Sequence, residues 1–275
     1  MRAVVLTEFF FMIVCADDFG MMADIDSAVL DLAEKGRISA VSCMVALGNF
    51  DRSAFSKLLL LGDRVDIGLH LTMTDIPPVH ATFGVDSLLQ PTGIFHPMRG
   101  LLRKGMLGAL NPDDVARETH SQYDRFIQFA GQPPDYLDSH LHIHQFPGVR
   151  TGVLKFLDAL DPSERPYIRN SAMSLRKIFQ QRVSPLKCLA IGFFGMRFHK
   201  TLQKRGLRTN SGFAGIYAYN GNRAYDGYLR RFVKCMEGRN GILMTHPGKI
   251  EAWREIEYRV LLEAECLTGK INRFN

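Results

Sequence analysis

The sequence predicts an α/β fold built on a parallel sheet, and three observations carry that reading. Apolar runs of strand length alternate with amphipathic helical stretches at short spacing, the pattern of repeated strand–helix–strand units. The runs are apolar at nearly every position, which suits strands covered on both faces. Several of them end in aspartates or histidines, and the carboxyl ends of parallel strands are where such folds bind ligands. At 275 residues the chain can bury a sizeable core and is of the size of one barrel, so a single domain over 1–275 is expected.

Taken in order, the first strand is the run 9–14, which leads into Asp17, Asp18 and Gly20. Residues 24–35 form an amphipathic helix with Ile25, Val29, Leu32 and Ala33 on one face and Gly36 as its stop. A second strand covers 40–47, a helix 50–61, and a third strand 64–71 that contains His70 near its end. Pro77, Pro78, Pro91, Pro97 and several glycines make 72–108 an irregular excursion over the strand ends. Pro112 opens a long helix to Ala130 with Val115, Thr119, Tyr123, Phe126 and Ile127 on its inner side.

His140, His142 and His144 alternate with Leu141 and Ile143, and on an extended strand that period places all three on one face. Pro147 opens a helix to Leu160, and 167–169 is a short strand candidate. Residues 174–208 are helical in pattern, broken by Pro185, Gly192 and Gly195. A helix over 225–238, a late strand over 241–245 that delivers His246-Pro-Gly248, and a closing helix over 252–267 complete the chain.

Five widely spaced cysteines with no CxxC pair give neither a disulfide framework nor a thiolate zinc site; free thiols in a reducing cytoplasm fit them. No apolar run approaches the roughly 20 residues a membrane span needs. The first residues lack a small-residue cleavage site, so no signal peptide is expected, and Met12 is an alternative start to Met1.

The net charge of +6 is unevenly spread: residues 165–225 hold twelve lysines and arginines and no acidic residue, leaving an acidic excess elsewhere. No nucleic-acid-binding module accompanies this basic stretch, so a nucleic-acid partner is not expected. Inside it, the apolar run 186–198 is flanked by Arg176, Lys177, Arg182, Lys200, Lys204, Arg205 and Arg208. That pattern suits peripheral contact of 176–208 with an anionic membrane or a lipid phosphate, or else a solvated basic helix that packs on the sheet by its Leu/Phe face.

The chemistry is concentrated at four strand ends. Asp17 and Asp18 repel each other, and burying them requires a cation or hydrogen bonds; a solvated Asp-Asp turn is the simpler reading of that stretch alone. Adding His70, the 140–144 histidines and His246 yields a carboxylate–imidazole set of the kind that holds a divalent metal and activates water. A lone histidine on a strand is ordinarily structural; four such groups after apolar runs are not.

Four stretches, Ala16-Asp-Asp-Phe-Gly20, Gly68-Leu-His-Leu-Thr72, Asp138-Ser-His-Leu-His-Ile-His144 with Pro147, and His246-Pro-Gly248, run nearly the length of the chain. In wording and order they resemble the YdjC-like carbohydrate deacetylases, the family with ChbG-type and HpnK-type members. The resemblance implies a distorted, TIM-barrel-like (β/α) barrel and hydrolysis of an acetyl group from an N-acetylated sugar such as an oligosaccharide; the basic stretch adds the expectation of a sugar on a phosphate- or lipid-linked anchor or on a nucleotide. The resemblance also implies one divalent metal ion, Zn or Mg, on Asp18, His70 and His140, with Asp17 as base, His246 as general acid, and a homodimer. His142, His144 and Arg169 are expected near substrate, with a solvated barrel rim as the alternative for the histidines and a structural turn for His246. Cys15 stands where many relatives have Asn and reads as a small buried residue. The competing functions are another metal-dependent hydrolase of phosphoesterase type, which would more often need two metals, and an inactive sugar-binding barrel.

Overall fold

Seven parallel strands line up in the order β5-β4-β3-β2-β1-β7-β6. They are β1 (Met12–Phe19), β2 (Ala40–Cys43), β3 (Asp66–Leu71), β4 (Tyr136–Ser139), β5 (Tyr167–Ile168), β6 (Gly212–Ala214) and β7 (Gly241–Thr245). The structure is a computed structural model that describes residues 12–80, 84–219, 224–236 and 241–274. Residues 9–11 of the expected first strand and the question of Met1 against Met12 lie outside or at the edge of the described residues.

Side-chain alternation builds two cores from this one sheet. Ile13, Cys15, Ala40, Tyr136, Tyr167, Phe213, Ile242 and Met244 pack against one another inside the curl. Their neighbours Met12, Val14, Ala16, Val41, Leu69, Leu137, Ile168 and Leu243 pack outward under the helices. The curl brings the two sheet edges together at one seam. Ile168 bridges in parallel to Thr209, just before β6. Beyond it Asn170 N donates to Asn210 Oδ1 at 2.9 Å, and Asn210 Nδ2 donates to Asn170 O at 2.9 Å. This is the distorted α/β barrel that the sequence predicts. At its amino end, Phe274 stacks on Tyr136 and lies against Tyr167, with ring centroids at 4.4 and 4.5 Å, and Arg273 pairs with Asp66 at 2.7 Å.

The covering helices are α1 (Ala23–Glu34), α2 (Arg52–Leu59), α3 (Met98–Met106), α4 (Pro112–Ala130), α5 (Val149–Ala159), α6 (Leu175–Gln181), α7 (Pro185–Lys204), α8 (Tyr225–Met236) and α9 (Ala252–Glu263). No helix among the described residues is long and apolar enough to cross a membrane.

Several expectations need correction. The extended strand expected through His140, His142 and His144 does not form. β4 stops at Ser139, and His140–Gln145 is a tight 3-10 turn in which Leu141 and His142 take left-handed φ of 56° and 57°. The ladder has run out there: β3 ends at Leu71 opposite Ser139, and β5 at Ile168 opposite Leu137. Ser139 Oγ then accepts from His144 N at 3.0 Å and fixes the turn.

Gly192 and Gly195 do not break α7. Each costs about 1 kcal/mol of helix propensity, but a Cβ at Gly195 would lie 2.6 Å from the carbonyl carbon of Ser171, so that glycine is there for close packing. β2 is half as long as expected, and the three-residue β6 was not anticipated at all. The excursion 72–108 is only partly irregular, since it contains α3. α4 pins its start: Gln122 Nε2 donates to Thr72 O at 2.7 Å, and Glu118 Oε1 accepts from Val79 N at 3.3 Å. Its end is seated by Gly105, where a Cβ would stand 2.0 Å from Pro147 O.

Candidate metal centre and acid–base site

Strand parity sends Asp17, His70, Asp138, Arg169 and His246 to the inside of the barrel at its carboxyl end, each two residues or so beyond an inward apolar or small residue. Asp18 should by the same rule point outward. It does not, because the β1–β2 register shifts between Ala16 and Phe19 and Asp18 takes a left-handed φ of 70°. Such a bulge re-aims one side chain, here turning two consecutive carboxylates toward one site.

Asp18 Oδ1 lies 3.0 Å from His140 Nδ1 and 3.5 Å from His70 Nε2. These three residues offer ligand atoms all within 4.8 Å of one another. The other oxygen, Oδ2, accepts from Arg254 Nη2 at 2.7 Å, which leaves Oδ1 alone for the site. His70 Nδ1 is 2.6 Å from Asp138 Oδ1, so its Nε2 is the nitrogen directed inward, the arrangement by which a carboxylate orients a metal-bound imidazole.

The electrostatics suit a cation. Burial pushes the Asp18 carboxyl up, yet the His140 and His70 hydrogen bonds outweigh it and hold it well below the usual range. Burial pushes His70 down, but the Asp138 carboxylate prevails and raises it to about 10. The spot between these groups stabilises positive charge, and an Asp-His-His donor set fits a divalent metal.

Asp17 is held differently. Arg169 Nη1 and Nη2 donate to its two oxygens at 2.6 and 2.7 Å, a bidentate fork. Despite burial, that guanidinium keeps the carboxyl below its ordinary value. Arg169 Nε also pairs with Asp138 Oδ2 at 2.8 Å, so one buried cation ties the base candidate to the carboxylate behind His70. A second group of ligand-type residues, Cys15, Asp17 and Asp138, is filled by this guanidinium, whose Nη1 is also 3.2 Å from Cys15 Sγ. Burial pushes the Cys15 thiol up, consistent with a packed, protonated side chain.

His246 follows β7 with Nε2 4.0 Å from Asp17 Oδ2. Its backbone N donates to Glu257 Oε2 at 2.6 Å, and Tyr217 OH donates to Glu257 Oε1 at 2.6 Å. The ring sits edge-on to Tyr219 and Trp253, and its Nδ1 has no hydrogen-bond partner among the described residues. Burial lowers the imidazole to about 4, so it is neutral near pH 7.

A cavity of about 450 Å³ opens over these groups. Asp17, His70, His140, His142 and His246 reach it, while Met98, Leu102, Phe146, Ile191 and Phe194 give it an apolar wall. Of the three residues expected at substrate, His142 faces this cavity and the other two lie behind it. His144 uses both ring nitrogens, at 2.5 Å from Ser139 Oγ and 2.8 Å from Arg169 O. Arg169 is 1% exposed. The sequence reading gave no role to Asp138, Arg254 or Glu257. Asp138 could have been found by strand parity, being two residues past the inward Tyr136.

An α/β barrel with a carboxylate–imidazole centre at the carboxyl ends of its strands is the class that this fold and site define. Within that class the chain belongs to the YdjC-like protein family, whose pattern matches residues 11–268. It is 27% identical over 219 residues to a carbohydrate deacetylase of Xenopus laevis, covering 79% of this chain and 65% of that protein. To a carbohydrate deacetylase of Mus musculus it is 30% identical over 251 residues, 86% and 77% of the two chains. To a chitooligosaccharide deacetylase of Serratia marcescens it is 31% identical over 148 residues, 54% and 56%. The match thus spans just under two thirds of the frog protein and little over half of the bacterial one. A solved structure from Enterococcus faecalis V583, provisionally named a cellobiose-phosphate cleavage protein, shares the fold: TM-score 0.69 over 95% of this chain and 96% of that one, at 16% identity.

Proposed function

We propose that this chain is a metal-dependent carbohydrate N-deacetylase. The observation that carries the reading is the convergence of Asp18, His70 and His140 beside the Asp17–His246 pair at the mouth of one cavity. Relatives named as carbohydrate and chitooligosaccharide deacetylases support an N-acetylated sugar as substrate.

Asp18 Oδ1, His70 Nε2 and His140 Nδ1 would hold one divalent ion, Zn or Mg, which when bound lowers the pKa of water and polarises an acetamide carbonyl. Asp17, fixed by Arg169 and open to the cavity, takes the proton of the attacking water. His246 Nε2, 4.0 Å from Asp17 Oδ2, is placed to receive a proton across one intervening atom and hand it to the departing amine. A neutral imidazole suits that relay, since it must first accept before it donates. His142 is the histidine we assign to substrate contact. Arg169 and His144 act from behind, as positioning residues.

The Arg169 guanidinium in the Cys15–Asp17–Asp138 group argues against a two-metal phosphoesterase, because a second cation already occupies that position. An inactive sugar-binding barrel would not need the acid–base pair. The five free cysteines suit a reducing compartment, so we place the protein in the cytoplasm, and we retain the homodimer, which light scattering would check.

The test is acetate release from N-acetylated oligosaccharides, nucleotide sugars and lipid-linked sugars, after chelation and again after metal is restored. Release that disappears on chelation and returns with metal is expected. No release from any of the panel, with metal bound, would sink the deacetylase reading.

A further inference from the structure

α7 turns one continuous stripe to solvent. At about 3.6 residues per turn, Leu186, Phe193, Arg197, Lys200 and Lys204 fall on the same side, apolar in the first half and cationic in the second. Leu186 is 82% exposed and Phe193 49%. Beside Phe193 runs a groove lined by Arg150, Met196, Arg197, Lys200 and Thr201, with the Arg197 guanidinium 5.5 Å from the Phe193 ring centre. Among the described residues none of Arg150, Arg197, Lys200 and Lys204 is in an ion pair, whereas the adjacent Arg205 is held by Asp158. The absence of any acidic residue over 165–225 leaves this charge uncompensated within the segment.

We infer that the α7 stripe is a docking surface for an anionic lipid bilayer. Exposed Leu186 and Phe193 match the acyl boundary, and the cations alongside match lipid phosphates, with the groove at Arg150, Arg197 and Lys200 receiving a headgroup. A second copy of the chain would present the same positive charge and be repelled. A nucleic acid would use the cations but leave Leu186 and Phe193 in water. The inner side of the same helix, through Lys187, Ala190, Ile191 and Phe194, walls the cavity. Docking therefore sets the cavity beside the bilayer; that consequence rests on the deacetylase reading, and the docking itself does not.

Cosedimentation with phosphatidylcholine vesicles, with and without phosphatidylglycerol, tests the inference without any turnover. The protein should pellet with the anionic vesicles and at least tenfold less with the neutral ones. Lys200→Glu/Lys204→Glu and, separately, Phe193→Ser should each weaken the anionic partitioning about tenfold while leaving the thermal midpoint in place. None of these three residues lines the cavity. Wild type that stays in the supernatant overturns the inference, as does equal pelleting on both vesicles. If only the charge variant fails and Phe193→Ser pellets like wild type, the stripe reads charge alone, and a soluble polyanion replaces the bilayer as partner. Failure here leaves acetate release untouched, and failure of acetate release leaves vesicle binding readable.

Discussion

Arg169 grips both oxygens of Asp17 from inside the barrel, while its Nε faces the carboxylate that orients His70. One guanidinium therefore sets the geometry of the proposed base and, one residue further back, the tautomer of a proposed metal ligand. Arg169→Met leaves two buried carboxylates uncompensated and should cost about 3–5 kcal/mol in urea unfolding. Arg169→Lys keeps the charge but loses the fork. It should fold, lower kcat at least tenfold and leave KM nearly unchanged, a split that a purely structural role would not give.

The two adjacent aspartates should separate on mutation. Asp17→Asn is expected to retain metal and lose turnover by about 10²–10⁴-fold, the usual range for an acid–base group. Asp18→Asn should lose the metal itself. Metal content after dialysis, set beside acetate release, reads both, and equal metal loss in the two variants would refute the division.

Asp138 offers a third check. Asp138→Asn keeps the shape behind His70 but exchanges an acceptor for an amide that can turn the ring. Metal affinity should fall about 10–100-fold, as measured by competition with a chelating dye.

Glu118, buried in α4, accepts from Val79 N and from Gln122 Nε2 at 2.7 Å. Burial raises its carboxyl from 4.5 to about 7, against the pull of those hydrogen bonds. With the folded value above the unfolded one, its contribution is full below about pH 4.5 and lost as pH rises through about 7. Glu118→Gln, which cannot ionise, should therefore gain stability over wild type between pH 5 and 8, by up to about 3 kcal/mol. Thermal or urea unfolding across that range reads the slope, and parallel curves for the two proteins would contradict it.

Strand existence was legible where an apolar run led into a chemistry-bearing residue, as Met12–Ala16 before Asp17 in β1 and Ile242–Met244 just ahead of His246 in β7. β6, with three residues, carries too little pattern to be read, and β2 was overextended because 44–47 stays apolar after its pairing ends at Cys43. The 140–144 histidines were misread for a physical reason: alternation in sequence implies a strand only where a neighbouring ladder continues, and Ser139 is the last paired residue. Residue type and position marked the strand ends that carry the site, while the choice of Asp18, His70 and His140 among them came from the family resemblance. What sequence could not show is that Arg169 fills the centre behind them, since its partners at 15, 17 and 138 are distant along the chain.

The seam of the barrel runs past this arginine. Ile168 bridges to Thr209 and Asn170 is knitted to Asn210, with Arg169 between them. The two sheet edges that meet at this seam are thus the ones that deliver the guanidinium to Asp17. A chain with every helix formed and the seam still apart would hold a loose carboxylate beside Asp18. Closing the ring and fixing the proposed base are in this sense one and the same piece of geometry.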